Sequence, residues 1–484
     1  MTIIQRLATS SLIYTLSNLL QKGMAFLLIP VYTHYLNADG YGILSVVAAL
    51  NGFLAVFFTL SLHGAMTRFY FDYRDQPETL KSFWGTQLTF ILLVSTAGGG
   101  ALLITGQWVL APVIGDVPYM PYVVLGIFIS MFQPVFQTLL ALLQTREQPL
   151  LYAVLNLANF VITIALAISL VVFWGWGAEG PLFALLAAAA ITFVLSLWIL
   201  RHEVRFGIQK EHLRTGLRYS LPLVPHALAG VLTAMLDRLL INGLVGMSAA
   251  GVYALAFQLA TVVAVITDSV NRAYFPVVTQ ILKDGDSAKV DELPRVALYM
   301  VGAYCAAALG LSVFAPEIVA LVAPPAFGEA ASAVPLIAFA FALNGVYYIY
   351  VNILFYRADG TRLIPLATVV GGAVSIGANL FLIPRFGIAG ASMAMVVAQL
   401  VSVVFVALIA RKYEVVQWPA RRFAYLVGGG LLLAIASQQI KDWSLPAALL
   451  AKGAIVAAGM VALFVLSGGS PRAVRDAIGA LRRT

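Results

Sequence analysis

Charge is what this sequence has least of. Only 10% of its 484 residues are Asp, Glu, Lys or Arg, while 61% are hydrophobic. A globular domain in water carries roughly 25% charged residues. A chain with so few cannot cover a water-facing surface of this size, which excludes a soluble enzyme, a nucleic-acid binder and a disordered chain. Cysteine is nearly absent: Cys305 stands alone, so there is no disulfide within the chain and no thiol-based metal or redox motif. Catalytic motifs are missing as well. Gly246 to Gly251 has the glycine spacing of a phosphate-binding loop but no lysine follows it. His202-Glu203 has no second histidine four residues on, and no Gly-x-Ser-x-Gly elbow occurs. The acids are scattered and no polar insertion is long enough for a catalytic domain. We therefore expect no enzyme, no metal and no cofactor. The N-terminus, with Arg6 alone before Lys22 and no small-residue cleavage pattern, does not read as a cleavable signal.

What the sequence has is long apolar runs. A membrane span takes about 20 mostly apolar residues. Fourteen are read here: 9–33, 42–66, 82–105, 121–143, 151–173, 180–200, 219–242, 250–272, 296–316, 333–355, 363–383, 388–410, 423–440 and 446–467. An even count puts both termini on one side. If that side is the cytoplasm, 24 of the 29 Lys and Arg fall in cytoplasmic segments, against Arg385, Lys441 and Lys452 on the other face. Such a bias is the positive-inside signature, and it explains the net charge of +8 without a nucleic-acid partner. The link RFGIQKEHLRTGLR and the tail PRAVRDAIGALRR read as basic amphipathic helices suited to an anionic leaflet.

The chain also repeats itself. LNADGYGIL (36–44) lies 209 residues before VGMSAAGVY (245–253), which matches Gly42 with Gly251. Gly177-Ala-Glu-Gly180 lies 210 before Gly387-Ile-Ala-Gly390, Arg201 lies 210 before Arg411, and Arg146 lies 211 before Arg357. The expected architecture is all-α and polytopic, with two six-helix lobes related by a pseudo-twofold axis along the membrane normal. The divisions are 1–205, 206–416, and 417–484 for two extra spans and a basic tail.

Charge inside a bilayer is costly and marks function. Here it clusters in the first two spans of each copy. Asn18 and Lys22 share a face of the first span. Thr59, His63 and Thr67 follow the second, with Arg68 at its end. His226, Gly230, Thr233 and Asp237 share a face of the seventh, beside Arg238. Gln258, Thr261, Asp268 and Arg272 stand at helical spacing on the eighth. A hydrated, net cationic cavity is the functional expectation. Lys22, Arg68, Arg238 and Arg272 would hold an anion, with Asn18, His63 and His226 beside them. Asp237 and Asp268 are the candidates for coupling to H+ or Na+. Two further stripes, Asn344/Tyr348/Asn352/Tyr356 and Gln133/Gln137, read first as hydrogen bonds between helices and second as sugar contacts.

The run LLIPVYTHYLNADGYGILSV, the segment LDRLLINGLVGMSAAGVYALAF and the turns GWGAEG and FGIAGAS resemble the polysaccharide transport branch of the multidrug/oligosaccharidyl-lipid/polysaccharide flippase superfamily. The resemblance runs over about residues 5 to 415 and is strongest to the O-antigen and exopolysaccharide flippases (Wzx type). It implies a V-shaped pair of lobes and a substrate, an undecaprenyl-diphosphate-linked repeat unit moved from the cytoplasmic to the periplasmic leaflet of a bacterial inner membrane. Membrane lipids, and the polymerase and chain-length regulator of the same pathway, are the implied partners. Three alternatives stand beside it: a lipid II flippase, a cation-coupled multidrug exporter, and a membrane glycosyltransferase or polymerase.

Overall fold

The computed structural model describes residues 20, 23, 26–284, 287–356, 363–413, 416–440 and 445–466. Helices dominate and no strand occurs among the described residues. Ten of the helices are long and apolar enough to cross a membrane. The first expected span falls largely outside the described residues. The internal contacts divide the chain into two compact units, residues 1–251 and 252–484.

In the first unit, α1 (Ala38–Thr59) begins where the Asn37 side chain accepts the Gly40 amide at 2.8 Å, with Asp39 in its first turn. Both features favour a helix start. It ends earlier than the second expected span. Leu60 and Ser61 are left-handed (φ 44 and 56) and break the helix, so His63, Thr67 and Arg68 belong to a separate helix α2 (Leu62–Tyr73). The expected continuous face from Thr59 to Thr67 is therefore split. The helices α3 (Pro77–Val109), α4 (Val124–Thr145), α5 (Pro149–Ile168) and α6 (Glu179–Leu200) all belong to segments long and apolar enough to cross a membrane. The basic link forms α7 (Lys210–Ser220), which packs against α2 and α3. Its Gly216 and Ser220 are buried while Lys210, Glu211 and Arg218 are exposed. Gln87 on α3 donates to the His212 carbonyl at 2.8 Å. This helix is thus docked on the bundle with its charged face outward. A 3-10 turn at Leu221–Leu223, containing Pro222, separates it from α8 (Val224–Leu244), which packs on α1. Under these helices Met66, Phe83, Trp84, Leu88, Val135 and Leu139 form a buried cluster.

The second unit holds most of α9 (Met247–Asp284), then α10 (Ser287–Val313), the short α11 (Ala315–Val322), α12 (Ala330–Tyr356), α13 (Ile364–Arg411), α14 (Ala420–Ser437) and α15 (Leu445–Leu466). α10 packs against α12, α14 and α15, and α12 against α13. α13 is 48 residues long because it holds two expected spans. Gly387 at φ 55 turns the chain between them, a conformation that glycine adopts without strain.

The repeat landmarks do matching structural work. Gly177 (φ 47) and Gly387 (φ 55) are both left-handed. Gly42 and Gly251 meet reciprocally inside the first unit. A Cβ on Gly42 would lie 2.9 Å from the Met247 carbonyl carbon, and one on Gly251 would lie 3.1 Å from that of Ala38. Ala38 and Met247 are themselves 209 residues apart, so each helix offers the same surface to the other. Arg357 of the fourth landmark lies outside the described residues.

Candidate functional site

Between α1, α4 and α6, the first unit forms a half-open cavity of about 380 Å3. Its wall combines Asn51 and Thr59 from α1 with Ser130, Gln133 and Gln137 from α4, and apolar residues such as Leu185 complete it. Ser130 Oγ donates to Asn51 Oδ1 at 3.1 Å, which leaves the Asn51 amide nitrogen for the cavity. Pro134 lies inside α4 and lines the same space. It has no amide, so the Ser130 carbonyl lacks its usual helical donor. Gln133 and Gln137 are exposed and form no hydrogen bond with any described residue. The expected hydrogen bonds between helices are therefore not made by these glutamines among the described residues; both line the cavity instead. The wall contains amides and hydroxyls but no charge, so it both donates and accepts.

The second stripe behaves as first read. Along α12, Asn344 accepts from Gln399 at 3.3 Å, and the Tyr348 hydroxyl donates to Asp268 at 2.8 Å. Asn352 donates to Asn271 at 2.9 Å, and the Tyr356 hydroxyl donates to the Leu282 carbonyl at 3.0 Å. Each stripe residue thus links α12 to α9 or α13, the usual use of polar side chains in membrane bundles.

Asn18 and Lys22 lie outside the described residues. His63 is exposed on the first turn of α2. Arg68, also exposed, pairs with Asp72 at 2.8 Å four residues on, and its guanidinium lies 5.7 Å from the Phe69 ring centroid. His226 is on α8. Asp237 is buried on the same helix and Arg238 half-buried, its charge reaching the Tyr41 hydroxyl on α1. Asp268 is committed to Tyr348, while Arg272 is exposed and forms no ion pair with it. Asp237 and Arg238 belong to the first unit, Asp268 and Arg272 to the second.

Sequence reasoning passed over one buried polar group and misplaced another. Asn242 on α8 donates to the Ile114 carbonyl at 2.6 Å. Lys452, expected at the outer face, is instead inside α15 with 1% exposure and bonds Glu317 of α11 at 2.6 Å. Its position in an apolar run was the available signal. No group of three or more metal-ligating side chains occurs among the described residues.

Comparison with known proteins adds the family. The sequence profile described as "Polysaccharide biosynthesis protein" matches residues 7–282. Protein 1 of the Lsg locus of Haemophilus influenzae is 25% identical over 295 residues, covering 60% of this chain and 70% of that protein. An uncharacterized membrane protein of the same organism is 25% identical over 387 residues, covering 77% and 89%. Among solved structures, the lipid II flippase MurJ in an inward closed conformation superposes with a TM-score of 0.67 at 12% identity, covering 90% of this chain and 98% of that one. The inward-facing form of a multidrug resistance transporter of the MATE family, in the MOP superfamily, gives 0.58 at 16% identity, covering 87% and 98%. The fold is therefore that of the MOP superfamily, and the chain belongs to the polysaccharide biosynthesis protein family.

Proposed function

We propose that this protein is a flippase that moves polyprenyl-diphosphate-linked oligosaccharide repeat units from the cytoplasmic to the periplasmic leaflet of a bacterial inner membrane by alternating access. It performs no covalent chemistry. The observation that supports the reading is the charge-free amide wall of the first-unit cavity, in a chain of a polysaccharide family. A sugar headgroup is a cluster of hydroxyls. Leaving one unpaired in an apolar medium costs roughly 2–7 kcal/mol, so several would block unassisted crossing. Asn51, Gln133, Gln137 and Thr59 offer donors and acceptors in place of water. Asn51–Thr59 and Gln137 lie in the halves of α1 and α4 nearer the ends that the Lys and Arg bias assigns to the cytoplasm, and Gln133 lies near the middle of α4. The diphosphate needs cations, and Lys22, Arg68, Arg238 and Arg272 remain the candidates to hold it. Asp237 and Asp268 remain those for ion coupling. The two lobes and the C-terminal pair of helices would rock about the loaded site. A second reading, movement of lipid II as named for MurJ, uses the same fold.

The test is the double variant Gln133→Leu/Gln137→Leu in a strain lacking its own repeat-unit flippase. Polymer output should fall strongly while lipid-linked repeat units accumulate, with the variant present in the membrane at normal level. Full output would remove the cavity from the mechanism. Rescue of a lethal lipid II flippase depletion would favour the second reading.

A further inference from the structure

We propose that the second unit carries a site for one anionic diacyl phospholipid, set between α12, the latter half of α13 and α14. A cleft of about 440 Å3 runs there between Leu343, Val346, Leu400, Val404 and Val427, with an almost wholly apolar wall. At one end it adjoins a more polar pocket of about 450 Å3 formed with Gln417 and Trp418. Tyr350 and Arg411 line both spaces. An apolar slot that opens onto a polar, cationic chamber matches a molecule with a chain at one end and an anionic head at the other.

The mouth is built rather than incidental. Tyr350 is 4% exposed, and its ring lies 6.3 Å from both Trp418 and Phe423. Arg411, at the end of α13, is exposed and forms no ion pair with any described carboxylate. A guanidinium suits a phosphate because its fork can donate two parallel hydrogen bonds. Lys412, Arg421 and Arg422 are exposed close by in the chain and strengthen attraction to an anionic leaflet. A tryptophan just outside a span, as Trp418 is between α13 and α14, is the usual interfacial anchor.

Two considerations choose the occupant. Moving an acyl chain from the bilayer into an apolar cleft gains little, since lipid tails are as apolar as leucine. The cleft therefore selects by shape, and the head decides affinity. Among the described residues, Arg411 is the one cation that lines either space. A single guanidinium in the lining matches the single charge of a phosphodiester; Lys412, Arg421 and Arg422 line neither space. The cleft thus fits a resident phospholipid rather than the transported molecule, and the site does not depend on which substrate is carried.

The experiment is native mass spectrometry of the full chain in detergent, titrated with phosphatidylglycerol or phosphatidylcholine. The wild type should retain one phosphatidylglycerol and hold it about tenfold better than phosphatidylcholine, because both carry the phosphodiester but the choline of the second adds a cation that Arg411 repels. Arg411→Gln should abolish that preference, and Arg411→Lys should keep part of it. Ala424→Phe, which fills the apolar cleft, should reduce retention of both lipids. The melting temperature of Arg411→Gln should equal that of wild type, because the side chain is exposed. Equal retention of the two lipids by wild type would overturn the proposal, as would an unchanged preference in Arg411→Gln. Stoichiometric displacement of phosphatidylglycerol by a polyprenyl-diphosphate saccharide would also overturn it, by assigning the cleft to the carrier.

Discussion

Replacing Gly42 by alanine tests the close crossing that the repeat brings together. The added Cβ would stand 2.9 Å from the Met247 carbonyl carbon, closer still to its oxygen, and 3.2 Å from the Gly251 nitrogen. All three neighbours are backbone atoms, so no side chain can rotate away and α1 must move off the first turn of α9. Overpacking of this kind costs about 1–3 kcal/mol. It works against the gain of up to about 1 kcal/mol that alanine brings over glycine inside a helix. Gly100→Ala is the control: nothing lies within 4 Å of its Cβ position, so it should hold or raise the melting temperature. Gly251→Ala should behave like Gly42→Ala, since its Cβ would meet the Ala38 carbonyl. The double variant should lose less than the sum, because one separation relieves both clashes. Thermal unfolding of purified protein in detergent reads all four. A Gly42→Ala protein that melts with Gly100→Ala would refute the crossing.

Three further outcomes follow from single contacts. Tyr348→Phe removes the hydrogen bond to Asp268 and should cost about 1 kcal/mol, as such bonds do between membrane helices; detergent melting curves measure it. Lys452→Met strips the partner from Glu317, whose side chain is 26% exposed, so the loss should fall below the ~3–5 kcal/mol that breaking a fully buried pair costs. Adding Glu317→Gln should restore much of the loss, and no recovery would contradict the pairing. Glu203 accepts a hydrogen bond from Arg146 at 2.6 Å, which holds its carboxyl below the usual carboxylate range. A lowered acid stabilises above its unfolded value of about 4.3 and loses that contribution as pH falls through the folded one. Stability should therefore decline below about pH 4, and Glu203→Gln should flatten that part of the profile.

Much of the fold was legible because lipid imposes length and hydropathy on every span. The Gly177 and Gly387 turns could be placed in advance, since a left-handed turn favours glycine. The break after α1 could not: Leu60 and Ser61 stand at positive φ although neither is a glycine. The two polar stripes show the limit for sites. Gln133/Gln137 and Tyr348/Asn352 have the same four-residue spacing, yet the first pair faces a cavity and the second faces other helices. Spacing identifies a shared face but not what lies opposite it. Partners some 80 residues away, such as Asp268 for Tyr348, are set by tertiary packing alone. The same holds for Lys452, whose partner Glu317 lies 135 positions earlier.

The most direct measurement of the central claim is transbilayer movement of a fluorescent polyprenyl-diphosphate oligosaccharide in vesicles containing the purified chain. The account predicts rapid movement with wild type and little with Gln133→Leu/Gln137→Leu. Equal movement in protein-free vesicles, or undiminished movement with the double variant, would contradict it.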